Sequence, residues 1–140
     1  MSEEQAQQLM QQMQMLENHF GQLTQQQNSI ISIIREANSA LHSINETKTK
    51  DESDSLIPIG MGVYVKSKIQ PKDKFIINIG SGVAIEKDQS SAINWLESRL
   101  KELEVALQNV NSQRQQVADN IEMGKHQMQS FIQKSQQAQK

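Results

Sequence analysis

The 140-residue sequence has no cysteine, two prolines and six glycines, and only 4% of its residues are aromatic. Without cysteine there is neither a disulfide framework nor a thiolate metal site, and a reducing compartment is permitted. A hydrophobic fraction of 36% falls short of what a compact globule of this length normally carries. The apolar residues must therefore lie in narrow stripes, not around a single centre. Neither sign of charge is in large excess. A formal net charge of -2 gives no general attraction to nucleic acid or to an anionic membrane. No apolar run approaches the roughly 18 residues that span a bilayer. The opening Ser2-Glu3-Glu4-Gln5 is too polar and acidic for a signal peptide. The expectation is a soluble, cytoplasmic protein.

Catalytic constellations are missing as well. Two Gly-x-Gly turns invite comparison with a phosphate-binding loop, but Val65 and Ile85 stand where G-x-G-x-x-G needs its third glycine. His19, His42 and His126 are scattered, and imidazoles without a carboxylate do not build a metal site. No serine sits in a nucleophile elbow, and a shallow coiled coil offers no enclosed pocket for tuning pKa values. The chain reads as a non-enzyme without cofactor or metal.

What is present is periodicity. From about Ser2 to Lys48 one series of seam positions reads Ala6, Met13, Phe20, Gln27, Ile34, Leu41, and the second reads Leu9, Leu16, Leu23, Ile30, Ala37, Ile44. A repeat of 3.5 residues kept over this many heptads predicts a coiled-coil helix, with glutamines keeping its outer faces soluble. After Asp88, a candidate N-cap, the pattern returns. Its first series is Ile93, Leu100, Leu107, Arg114, Ile121, Met128, and its second is Leu96, Leu103, Val110, Val117, Gly124, Phe131. An antiparallel register then sets Leu41 opposite Leu96, Ile34 opposite Leu103, Leu16 opposite Ile121 and Leu9 opposite Met128. Ala6 meets Phe131, and Gly124 meets Met13. Gln27 falls beside Val110 and Arg114 beside Leu23, polar layers that favour one register at some loss of stability. Each helix of some 45 residues would run roughly 65–70 Å.

Between the helices the period changes to two. After a charged, Ser-rich linker from Lys50 to Ser55, strands are expected at 56–59, 62–69, 74–79 and 83–87. Gly60-Met61-Gly62 and Gly80-Ser81-Gly82 would turn two hairpins, with Gln70-Pro71-Lys72-Asp73 joining them. Two hairpins at the end of a coil leave unpaired edges, which predicts completion of a sheet or barrel by other subunits. The division expected is 1–49 first helix, 50–87 linker and hairpins, 88–140 second helix.

The insert resembles the alpha-class subunit of prefoldin. The resemblance rests on Leu56-Ile57-Pro58-Ile59-Gly60, Val63-Tyr64-Val65-Lys66-Ser67-Lys68, Phe75-Ile76-Ile77-Asn78-Ile79-Gly80-Ser81-Gly82 and Val83-Ala84-Ile85-Glu86-Lys87-Asp88. The flanking coils match in layout only. Two hairpins rather than one point to the alpha class, and the resemblance fits the single-type subunit sets of archaea more simply than the diversified eukaryotic ones. The abundant Gln argues against a hyperthermophile. The resemblance implies a hexamer of two alpha-class and four beta-class subunits, with hairpins forming a double β-barrel from which six coiled-coil arms hang. It further implies an ATP-independent chaperone that holds unfolded proteins at the arm tips and hands them to a group II chaperonin. Filament-forming and adaptor roles are the alternatives, built on the same hairpins.

Two residue sets carry these expectations. For assembly they are Leu56, Ile57, Ile59, Val63, Tyr64 and Val65 in the first hairpin, with Phe75, Ile77, Ile79, Val83 and Ile85 in the second. For client binding they are Leu9, Met10, Met13 and Met15 with Met123, Met128, Phe131 and Ile132. Every methionine except Met61, Met1 included, lies in the chain-terminal parts, and flexible, polarizable Met suits varied apolar partners. Met13, Met128 and Phe131 also serve as seam fillers. Ile31, Ile33 and Trp95, off the seam, are expected to pack against the barrel or neighbouring helices.

Overall fold

The computed structural model describes residues 2–48 and 51–139. Met1 and Lys50, expected at the methionine-rich end and in the linker, lie outside them, as do Thr49 and Lys140. The element order is α1 (Glu3–Lys48), β1 (Ser53–Gly60), β2 (Val63–Ile69), β3 (Phe75–Gly80), β4 (Val83–Lys87) and α2 (Gln89–Ala138). The chain divides into two compact units, Met1–Ser32 with Glu104–Lys140, and Ile33–Leu103.

Both helices have physical start signals. Ser2 and Gln5 form a reciprocal capping box: Gln5 N donates to Ser2 Oγ at 3.2 Å and Ser2 N to Gln5 Oε1 at 2.9 Å. Glu3 and Glu4 in the first turn add favourable charge at the positive end of the helix dipole. Asp88 caps α2 as expected, its Oδ1 accepting from Ser91 N at 2.8 Å. That backbone bond, reinforced by the Ser91 hydroxyl and more weakly by Lys74 and Lys87, lowers the Asp88 pKa below 3.8. The folded pKa is depressed, so the cap's stabilisation is present above the unfolded value and disappears as pH falls through the folded one. Asp88→Ala is therefore expected to lower the thermal midpoint at neutral pH and to flatten its decline in acid. Circular dichroism melts between pH 2 and 7 measure this, and parallel wild-type and mutant curves would refute it.

Both seam series are confirmed residue by residue. Every named position is buried or half-buried, Gln27 and Arg114 included. In the terminal unit Leu23, Ile30, Val110 and Val117 are buried, and Gly124 accepts the Met13 side chain. A Cβ added at Gly124 would stand 3.0 Å from Met13 Cγ, whereas one at exposed Gly21 meets nothing within 4 Å. The two helical glycines should thus respond oppositely. Gly21→Ala is expected to stabilise the helix by about 0.5–1 kcal/mol, and Gly124→Val to destabilise it by about 1–3 kcal/mol. Urea titrations of the two variants test the contrast, and equal midpoints would count against it.

In the unit Ile33–Leu103, Ile44, Ala92 and Ile93 form the buried cluster, with Leu41, Leu96, Phe75 and Ile77 packed on it. Ala92 is only 1% exposed although it lies one place off the seam, because β3 residues join the helices there. The C-terminal end of α1 is held by polar bonds from α2: Gln89 Nε2 donates to Ile44 O at 3.1 Å and to Thr47 Oγ1 at 3.0 Å.

β1 begins at Ser53, not at Leu56, which corrects the expected linker. Its first residues pair as Ser53↔Ile69, Asp54↔Lys68 and Ser55↔Ser67. The cross-strand charges and the Lys68–Glu52 ion pair at 3.6 Å offset the low strand propensity of Asp and Ser. β2 and β3 start one residue later than expected, at Val63 and Phe75. Both hairpin turns have the expected geometry. Met61 and Ser81 adopt φ 51° and 53° between positive-φ glycines, and the ladder shifts register at each turn. The connection at 70–73 closes through Asp73 N to Gln70 O at 3.0 Å and Gln70 N to Asp73 Oδ2 at 2.7 Å.

Candidate assembly and client-binding surfaces

Each hairpin is a sheet of two strands, so among the described residues every strand keeps one edge whose N–H and C=O groups have no ladder partner. β1 with β2 is the more exposed pair. One face carries Ile57, Ile59, Val63 and Val65, and the other carries Leu56, Pro58 and Tyr64, as the pairings Ile57↔Val65 and Pro58↔Tyr64 require. All of these side chains are exposed. A two-stranded hairpin in water is marginal by itself, and apolar side chains on both faces need cover from outside the hairpin. Lys66 and Lys68 on β2 and the N–H-less Pro58 on β1 limit indiscriminate edge pairing.

β3 with β4 differs. Phe75 and Ile77 turn into the helix cluster and Ile85, directly opposite Ile77, is half-buried. These three residues of the expected assembly set are therefore only partly available to a partner. Ile79 and Val83, nearer the turn, are exposed. Ile79 also lines a groove of about 560 Å³ with Asn78, Gly80, Trp95, Ser98, Arg99 and Glu102. Half-buried Trp95 thus faces the end of β3, Ile31 is half-buried and Ile33 is exposed.

At the chain-terminal ends the methionines separate into two groups. Met13 and Met128 are half-buried in the seam with Leu9 and Phe131, whereas Met10, Met15, Met123 and Ile132 are exposed. Met15 reaches 71% exposure and Met10 62%. A groove of about 210 Å³ brings together Leu9, Met13, Leu16, Met123 and Gly124. Met10, Met15 and Ile132 stand outside that groove, and Phe131 borders another with His126 and Lys134.

Polar chemistry is sparse. His42 and His126 lie 3.3 Å and 4.0 Å from Glu46 and Glu122 of their own helices, at exposed positions. Among the described residues no three His, Cys, Asp or Glu side chains group closely enough to hold a metal, and no helix is long and apolar enough to cross a membrane.

Over residues 9–134 the chain matches the family model of the prefoldin subunit. The chain belongs to the prefoldin family. Prefoldin subunit alpha of Nitrosopumilus maritimus is 50% identical over 138 residues, covering 99% of this chain and 95% of that protein. Prefoldin subunit alpha of Methanobrevibacter smithii is 31% identical over 102 residues, 72% of this chain and 70% of that one. These relatives agree with the two-hairpin insert in placing the chain in the alpha class. The fold is shared with a filamentous PFD from Methanocaldococcus jannaschii, at a TM-score of 0.67 and 19% identity over 78% of this chain and 91% of that one. The prefoldin beta subunit from Thermococcus strain KS-1 gives 0.66 at 17% identity, covering 91% of each chain.

Within this prefoldin chain the structure adds surface residues that sequence reasoning missed. Ile76 is 72% exposed on the outer face of β3, and Met61 is fully exposed between the turn glycines. The unbroken run Phe75-Ile76-Ile77 was the available signal for Ile76, since apolar residues on both faces of a strand imply cover on both. Val105, exposed on the outer face of α2, left no signal in the heptads.

Proposed function

We propose that this chain is the alpha-class subunit of a nucleotide-independent holding chaperone, assembled through its hairpins and binding unfolded proteins at its coiled-coil ends. The observation that carries the reading is the first hairpin. In a prefoldin chain, ordered strands with apolar side chains on both faces and unpaired edges are built for completion by neighbouring subunits. The family pattern supports a hexamer of two alpha-class and four beta-class subunits working in the cytoplasm and delivering clients to a group II chaperonin. Exposed Met10, Met15, Met123 and Ile132 supply an adaptable apolar surface for clients. No step of this activity calls for a cofactor or a catalytic residue.

The test is to assemble the chain with its beta-class partner, dilute a denatured protein into it without nucleotide, and follow aggregation by light scattering. Suppression that disappears when residues before Leu16 and after Ile121 are removed is the expected result. An intact hexamer that leaves aggregation unchanged would overturn the holding role. A filament is the second reading, favoured by the shared fold with the filamentous PFD and by edges that can pair with themselves. Continued growth of the isolated chain in light-scattering mass would support it.

A further inference from the structure

In the unit formed by Met1–Ser32 and Glu104–Lys140, two polar side chains occupy seam positions where apolar ones would pack better, Gln27 and Arg114. Each reaches sideways to the opposite helix. Gln27 Nε2 donates to Asn111 Oδ1, and Arg114 Nε donates to Thr24 Oγ1 at 3.2 Å. The bonds are counterparts, since three residues back along α1 is three residues forward along α2. Thr24 Oγ1 in turn donates to Phe20 O at 2.9 Å, and the Arg114 guanidinium lies 4.8 Å from the centroid of the Phe20 ring. Among the described residues no carboxylate pairs with Arg114.

A half-buried charge whose partners are one hydroxyl and one aromatic face contributes little net stability. What such a layer supplies is discrimination. We propose that the reciprocal pairs Gln27–Asn111 and Arg114–Thr24 are the register lock of this coiled coil, selecting one alignment of α1 on α2 at the expense of stability. A slip of one heptad in one direction sets Arg114 against Ile31 and Gln27 against Ala118, which breaks both interhelical bonds and moves the guanidinium from the Phe20 ring to Gln27. The opposite slip sets Arg114 against Glu17 and Gln27 against Glu104, acceptable partners for both, but then Gly124 faces Ala6 instead of Met13 and a hole opens. The lock and the Met13–Gly124 fit therefore exclude different slips.

This inference does not depend on the chaperone reading. Because the chain has no cysteine, engineered pairs report alignment directly under mild oxidation. Leu16→Cys with Ile121→Cys reports the native register. Leu9→Cys or Leu23→Cys with Ile121→Cys reports the two slips. In the full-length wild-type background only the native pair should close. With Gln27→Leu and Arg114→Leu, a slipped crosslink should rise about tenfold or more, most of all for Leu23→Cys, while the thermal midpoint increases. A double variant that crosslinks only at the native pair overturns the proposal. So does one that melts below wild type, because the layer would then be a stabilising contact.

Discussion

Replacing Ile57 with lysine and Val65 with glutamate is expected to reduce the assembled protein to smaller species while its helices remain intact. The two residues are directly opposite each other in the β1–β2 ladder, and both are exposed in the isolated chain. Opposite charges across a strand pair favour the hairpin itself by about 0.2–1 kcal/mol, so the local fold should survive. Burying the same charges in a subunit interface removes their water, and the pair recovers that loss only with additional hydrogen bonds. An affinity loss of roughly 100-fold or more, equivalent to about 3 kcal/mol, should follow. Mass by light scattering with far-UV circular dichroism measures both halves of this expectation. Full-size assemblies of the double variant would mean that the first hairpin is not the assembly element. The corresponding change at Ile77 and Ile85 should instead damage the chain's own core, because Ile77 packs on Ile44, Ala92 and Ile93.

Serine at Met10, Met15 and Ile132 together is expected to weaken capture of unfolded protein by about tenfold with assembly unchanged. Each is an exposed apolar side chain off the seam, so its loss removes contact area for a client without opening a cavity. Withdrawing roughly 1–2 kcal/mol of apolar burial at each engaged position is ample for that effect. Met13→Ser is the informative comparison, since Met13 fills the space above Gly124. That variant should destabilise the coil as well as reduce capture. Aggregation assays alongside thermal melts separate the two. Capture that is unchanged in the triple variant would move client contact to other surfaces, Met123 and its groove first.

The legible part of this protein was the part governed by period. Every residue of the two heptad series is buried or half-buried, because a helix pair offers only one place for a stripe repeating every 3.5 residues. The hairpin turns were equally clear, since only glycine-rich turns supply consecutive positive φ values. Strand ends were less so. Ser53-Asp54-Ser55 reads as linker by composition and becomes strand because Lys68, Ser67 and Ile69 lie across from it, a partner that local propensity does not encode. Ile76 was missed for a related reason. It falls on the strand face opposite Phe75 and Ile77, and the structure leaves it exposed with no cover from its own chain.

The polar layer shows the same division on a smaller scale. Sequence placed Gln27 and Arg114 on the seam beside Val110 and Leu23, and the structure turns them aside to Asn111 and Thr24. A heptad position fixes the direction in which a side chain leaves its helix, but the partner it finds depends on the facing helix and on whichever rotamer avoids an unmet polar group. By itself, then, the sequence determined two long helices, the seam on each, their antiparallel matching and the two hairpins between them, since all of these follow from spacing along one chain. Only the tertiary structure decided that β3 packs on Ala92 while both faces of β1–β2 stay open, because contact between elements depends on the distances and angles at which they meet, and spacing carries neither.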